Sequence, residues 1–383
     1  MRQVCVLGIG ETGNRETTPT LSYKELMFEA ASRAYADAGV DARRDVESAV
    51  SAAEDFWWGT SITDEYVPDQ IGMAMKPVCT VGGDGLQAVA TAYMQIASGL
   101  VDVAVVEAHS KMSDVVSPDH VLALAHEPFY FRPFGWNAHV TAGLEMARFL
   151  HETGTPREAS GLVVEKNRRN ALRNPMAAYG ADLRAADVES SALVSDPLRR
   201  LDVSDWADGS ACVVLASEEA AKRFSGTPVW LRGLSWASTS PNLDSRNWGE
   251  ADYARIAAQR AFKMARLGPR DVDVAEVDDT YAYKELQHLE ALGFAAPGKA
   301  HELLTSGAFA RGGDLPVNTS GGCLGMGQTI EQNGLSRLCE IVRQLRGQAS
   351  SRQVAGAKVG VAQAWRGVPT TTGAVAVLTT EVR

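Results

Sequence analysis

Between Leu315 and Leu335 the chain places Gly321, Gly322, Gly325 and Gly327 within seven residues, beside Asn318, Ser320 and Gln328. Glycines this dense let the backbone take positive φ and approach a ligand with no Cβ in the way. A second cluster, Gly82-Gly83-Asp84-Gly85, precedes an alanine-rich apolar stretch from Leu86 to Ser98. As a helix, that stretch would present free N–H groups in its first turn, a place to hold an anion or a polarised carbonyl oxygen. Cys79 and Cys323 stand beside the two clusters, so each is open to thiolate chemistry or to a packing role as a small core residue. His109 and His139 are isolated histidines, read as polar core or loop residues near a pocket. Each glycine cluster reads equally well as a tight turn between a strand and a buried helix.

The elements that must position these residues follow from the apolar pattern. Val4 to Ile9 reads as a buried strand, Tyr23 to Ala38 as a helix stopped by Gly39, and Val50 to Ala53 as a second strand. The helix from Leu86 to Ser98 is apolar nearly all round and therefore buried. Val101 to Ala108 and Gly209 to Ala216 are further strands, and the last two are Lys358 to Ala364 and Gly373 to Thr380. Aromatic residues concentrate at Phe56 to Trp58 and Phe129 to Trp136, loops that could bind a bulky acyl group or close a subunit contact. Ala30, Ala31, Arg33, Ala34, Ala38 and Val50 recur as Ala257, Ala258, Arg260, Ala261, Ala265 and Val277 at an offset of 227. The economical reading is α/β, with two stacked halves covering residues 1–222 and 223–383 and a loop region at about 110–200 inside the first.

Composition narrows the function classes. The chain has 383 residues, of which 45% are apolar and 22% charged, and its net charge of −10 is spread among interleaved acids and bases. That argues against a nucleic-acid surface. No apolar run approaches the roughly 20 residues needed to span a bilayer. Met1 leads at once into a strand-like run with no signal peptide, so a cytoplasmic location is expected. Five scattered cysteines without a C-x-x-C pair fit a reducing compartment and give no zinc site.

The chain resembles the thiolase superfamily, in its sterol-carrier-protein-x and archaeal acetyl-CoA acetyltransferase-like branch. The residues that carry the likeness are Ile96-Ala97-Ser98-Gly99 with Val101 to Asp114, then Lys166 to Pro175 and Asp196 to Leu215. In the second half they are Glu276 to Phe294 and the glycine-rich stretch. The resemblance implies a thiolase-like fold of two similar five-stranded halves in α-β-α-β-α layering, with central mixed sheets. It also implies a homodimer and a coenzyme A thioester as substrate, with no covalently bound cofactor.

The family's catalytic positions are changed here. The nucleophilic cysteine's place falls on Gly82, the histidine's on Gln328, and the Asn or His ahead of an acid on Asp278, followed by Asp279, Thr280 and Tyr281. Gln363-Ala364-Trp365-Arg366-Gly367 lacks the second cysteine. Glutamine hydrogen-bonds but takes no proton at neutral pH. The resemblance to steroid side-chain aldolases, which lack the cysteine and pair with a small zinc-ribbon OB-fold subunit, therefore implies retro-aldol cleavage of a β-hydroxyacyl-CoA. Asp278 or Asp279 would be the base and Tyr281 or Tyr283 the acid. Backbone N–H groups at Gly82, Gly83 or Gly322 would hold the enolate oxygen, with His139 beside them. That branch's tyrosines are absent at Asp278 and Gln328, and Asp279 reads equally as a turn cap. One alternative is thiolysis through Cys79. It needs three extra residues before Gly99, and three residues are about 300° of helix. The other alternative is a non-catalytic subunit of a heteromeric complex. Lys166 to Arg169 reads as a solvated helix face or a contact for coenzyme A phosphates.

Overall fold

A computed structural model describes residues 2–54, 62–240, 242–367 and 370–382. The aromatic run Phe56 to Trp58 lies outside the described residues. The strands of the main sheet are β1 (Val4–Glu11), β2 (Ser48–Ala52), β3 (Val78–Val81), β4 (Val103–Lys111) and β5 (Asp208–Ser217), then β6 (Val229–Ser238), β7 (Val274–Glu276), β8 (Val359–Trp365) and β9 (Thr372–Thr379). They lie in the order β3-β2-β4-β5-β1-β6-β9-β8-β7. β2 runs parallel to β3 and β4, and β8 parallel to β7, while β1 is antiparallel to β5 and β6.

The principal helices are α1 (Tyr23–Ala38), α2 (Gly85–Ser98), α3 (Ala138–Thr153), α4 (Glu158–Ala171), α5 (Asp252–Ala265), α6 (Ala282–Ala291), α7 (Gly322–Met326) and α8 (Asn333–Leu345). α2 and α8 share one apolar cluster with strands of both halves. α1 covers the other face of the first half, and α5 the other face of the second. This is the α-β-α-β-α layering expected, and it explains why α2 is apolar nearly all round.

The internal repeat has a packing reason. α1 and α5 both end at its equivalent alanines, Ala38 and Ala265. A Cβ on Gly10 of β1 would come 2.1 Å from the Ala30 carbonyl oxygen, and one on Gly8 2.3 Å from that of Ala34. In the second half a Cβ on Gly233 of β6 would come 2.1 Å from the Ala261 carbonyl oxygen. Alanine on the helix and glycine on the strand let each pair of backbones touch. The second half departs from five strands, because its remaining position is a single bridge between Ala275 and Val317. Pro316 has no N–H to extend that ladder, and Asn318 at φ 52 turns the chain away from it.

Candidate active site

Four segments that follow regular elements converge on one cavity of about 280 Å³. His139 enters from the first turn of α3, whose cap Asn137 accepts the Val140 N–H at 3.1 Å. Thr280 and Tyr281 come from the turn between β7 and α6, Gln328 and Ile330 from the turn between α7 and α8, and Arg366 from just beyond β8. Trp206, Arg200 and Asp119 complete the wall nearer the surface. The run from Asp278 to Tyr283, strand-like by its alternating tyrosines, is a turn that starts a helix. Tyr281 is the extended N-cap residue, and Ala282 to Ala291 is helical.

Gln328 is held by a chain of donors that fixes which end of its amide faces outward. Asn333 Oδ1 accepts from the Thr329 N–H at 3.0 Å and its hydroxyl at 2.8 Å, so Asn333 Nδ2 is left to donate. It donates to Gln328 Oε1 at 2.6 Å, and the Thr280 hydroxyl donates to the same oxygen at 3.2 Å. Gln328 Nε2 makes no hydrogen bond among the described residues. It is therefore a free neutral donor on the cavity wall.

Tyr281 and His139 form a pair. The phenol hydroxyl and His139 Nδ1 are 3.2 Å apart and the two rings meet edge-on. Burial pushes the Tyr281 phenol up, so it stays protonated. Burial pulls His139 below its usual value, so the imidazole stays neutral and can accept the phenol's proton at Nδ1. Asp119 lies 3.9 Å from His139 Nε2, which favours the tautomer with its proton there.

The other residues singled out by sequence lie elsewhere. Asp278 points inward: its Oδ2 pairs with Arg337 Nη2 at 2.7 Å and its Oδ1 accepts the Thr280 N–H at 3.0 Å. Asp279 caps the glycine-rich helix α7, accepting the N–H groups of Cys323 at 2.5 Å and Leu324 at 3.2 Å and the Asn167 amide at 2.8 Å. Burial and the neighbouring Glu285 push the Asp279 carboxyl up to about 7. Gly322, at φ 59, makes that cap possible, since a Cβ there would sit 2.1 Å from Asp279 Oδ2. Its own N–H donates to Ser320 Oγ at 3.2 Å. Tyr283 is fully buried with its hydroxyl 3.3 Å from Glu145 Oε2. That carboxylate belongs to a buried cluster in which Lys284 Nζ donates to Glu145 Oε1 at 2.6 Å.

At the start of α2 the chain supplies its own acceptor, a carboxyl that burial pushes up to about 7. Buried Asp84 accepts the Leu86 N–H at 2.8 Å and, from α8, the Gly334 N–H at 2.9 Å. The Gly83 N–H donates to the Val81 carbonyl at 2.9 Å. Gly82 is exposed, and a Cβ built there would meet nothing within 4 Å. Cys79 lies on β3, half-buried, its sulfur 3.9 Å from the Ala49 carbonyl, and burial pushes its thiol up. Cys323 is buried with its sulfur 2.8 Å from Arg337 Nη2. The Lys166 to Arg169 run is largely turned inward: Lys166 meets Glu285 at 3.1 Å and buried Arg168 meets Asp205 at 3.0 Å, while Arg169 alone stays exposed. Sequence reasoning missed Thr280, Asn333 and Arg366 as parts of the site. Asn333 stood inside the glycine-rich stretch already singled out, five residues after Gln328.

Residues 237–380 match the family model described as "Thiolase C-terminal domain-like". The chain is 32% identical to an acetyl-CoA acetyltransferase of Methanothermobacter thermautotrophicus, over 94% of this chain and 95% of that protein. It is 31% identical to the 17-hydroxy-3-oxo-4-pregnene-20-carboxyl-CoA lyase of Mycobacterium tuberculosis, over 58% of each chain. Among solved structures, the Ltp2-ChsH2(DUF35) aldolase superposes with a TM-score of 0.86 at 26% identity, covering 98% of this chain and 97% of that one. The chain belongs to the thiolase superfamily of acyltransferases and carbon–carbon lyases, in the branch of the archaeal acetyl-CoA acetyltransferases and sterol carrier protein 2.

Proposed function

We propose that this protein cleaves the Cα–Cβ bond of a β-hydroxyacyl-CoA by a retro-aldol reaction, with Tyr281 and His139 moving the proton and Gln328 holding the thioester oxygen. The observation that carries the reading is the meeting of the Tyr281–His139 pair with the free Gln328 amide donor in one cavity. The β-hydroxyl gives its proton to the Tyr281 oxygen as the phenol proton passes to His139 Nδ1. The Cα–Cβ electron pair then moves into the thioester, leaving a carbonyl at Cβ and an enolate on the acyl-CoA fragment. Gln328 Nε2 donates to the enolate oxygen, which costs no reorganisation because Asn333 and Thr280 already orient the amide. The proton returns from His139 through Tyr281 to Cα, so atoms balance without added coenzyme A or an acyl-enzyme.

Asp278 and Asp279 are assigned to positioning in this reading. One is paired with Arg337 and the other caps α7, and both carry the turn that presents Thr280 and Tyr281. The lyase and aldolase relatives support the direction of the chemistry. The two-component aldolase makes a small partner subunit, as well as a second copy of the chain, part of the proposal. Replacing the general acid–base residue in Tyr281→Phe should lower turnover of a β-hydroxyacyl-CoA by about 10²–10⁴-fold, while Cys79→Ser should stay within about twofold of wild type. If Cys79→Ser abolished turnover and Tyr281→Phe did not, the thiolytic alternative would replace this one.

A further inference from the structure

Of the two arginines on the cavity wall, Arg366 has the fewer partners. Its side chain is 10% exposed, and it pairs through Nη2 with Glu54, the residue just after β2. Its backbone N–H donates to the Thr372 carbonyl at 3.1 Å. The remaining side-chain donors, Nε and Nη1, make no hydrogen bond among the described residues, and neither is closed off from solvent. Burial pulls the guanidinium down to about 10, which leaves it cationic at neutral pH. Glu54 occupies one N–H of Nη2, so the other Nη2 N–H, with its neighbour on Nη1 or on Nε, leaves one edge of the planar fork that can take a carboxylate through two parallel hydrogen bonds.

The surrounding charges allow an added anion. Asp205 is claimed by two cations, Arg168 at 3.0 Å and Arg200, so that corner carries one excess positive charge. Glu54 cancels Arg366. The opposing charge is Asp119 at the rim, about half exposed and near His139. The cavity, at about 280 Å³, suits an acyl group rather than a nucleotide. The pantetheine arm of coenzyme A also holds its phosphates a full extended chain away from the thioester. A group that reaches Arg366 while the thioester lies at Gln328 therefore belongs to the acyl part.

We propose that the substrate's acyl group carries a second carboxylate and that Arg366 is the residue that selects it. This rests on the reading above, in which the thioester and the β-carbon occupy this cavity. It makes Arg366 a specificity residue for dicarboxylic acyl thioesters, with Glu54 orienting its fork.

The test is calorimetric titration of the full chain with succinyl-CoA and with butyryl-CoA, which match in carbon number and differ in the terminal carboxylate. Wild type should bind succinyl-CoA at least about tenfold more tightly, a gain typical of a charge-assisted pair. Arg366→Gln should remove that preference and leave butyryl-CoA binding within about twofold, and Arg366→Lys, which keeps the charge but not the fork, should fall between. Circular dichroism confirms that each variant is folded, and the wild-type ratio decides the matter if one is not. Equal affinity of wild type for both esters would overturn the inference and leave the β-hydroxyacyl-CoA reading standing. Equal weakening of both esters in Arg366→Gln would assign the guanidinium to coenzyme A and overturn it too. Failure of wild type to bind either ester would remove the coenzyme A thioester reading and this inference together.

Discussion

At His139 the decisive quantity is the free energy of placing a charge in a buried ring. Burial outweighs the attraction of half-exposed Asp119, so the imidazole titrates below its ordinary 6.5. A base that must be neutral to act stays competent until pH falls through that lowered value. The acid limb of kcat/KM should therefore lie below pH 6.5 and disappear in His139→Gln, which a pH–rate profile on each enzyme would show. A limb at or above 6.5 in wild type would exclude His139 as the acceptor. Residue identities made part of this legible from sequence. Gln328 stands at a family position and Tyr281 follows another, both line the cavity, and His139 was marked as near a pocket. Their partnership was not legible, because Tyr281 and His139 are 142 positions apart and meet only through the packing of α3 against α6. Gln328 could be seen as unable to take a proton, but its outward amide depends on Asn333 and Thr280, whose directions no spacing rule supplies.

At the scale of elements, the turn between β7 and α6 is set by buried charges. The Asp278 N–H donates to the Gln363 amide oxygen at 2.8 Å, while its carboxylate accepts the Thr280 N–H and holds Arg337 of α8 at 2.7 Å. His288 Nδ1 lies 2.9 Å from the Asp278 carbonyl and its Nε2 2.9 Å from the Tyr253 hydroxyl. Burial and nearby Lys284 pull that histidine down to about 4, so it stays neutral and can bridge the two. Removing Arg337 strands a carboxylate in the interior. Arg337→Met should destabilise the fold by about 3–5 kcal/mol in urea unfolding, far more than an exposed pair would cost. A loss under about 1 kcal/mol would mean that Asp278 is not held by this pair and would return it to the list of candidate bases. The sequence showed Asp278 filling a catalytic slot, but not its partner Arg337, 59 residues on. Asp279 was readable as a turn cap, but the turn it caps lies 44 residues on in sequence, and only the 2.1 Å approach at Gly322 shows why that turn needs glycine.

The whole molecule repeats one α/β arrangement twice and packs the copies on a shared pair of helices, α2 and α8. Periodicity made β1, β2, β4, β5, β8, β9 and α1 legible to within a few residues, since strict burial forces apolar runs onto them, while β3 and β6 were not expected. The layering was legible through the resemblance rather than through spacing. The single-bridge strand at Val317 was not, because its loss follows from Pro316 and the turn at Asn318 acting together. This architecture brings the start of α2 and the turns before α6 and α8 toward one region. In this chain it delivers a phenol, an imidazole and an amide to the cavity, while Cys79 stays on β3. The central claim is that carbon–carbon cleavage proceeds without a covalent enzyme intermediate. The direct measurement is to incubate the protein with a β-hydroxyacyl-CoA in the absence of free coenzyme A, quantify the carbonyl product and the shortened acyl-CoA, and record the intact mass of the protein. Equal amounts of the two fragments with an unmodified protein mass are predicted. Cleavage confined to β-ketoacyl-CoA, dependent on added coenzyme A and accompanied by an acyl adduct on the protein, would contradict it.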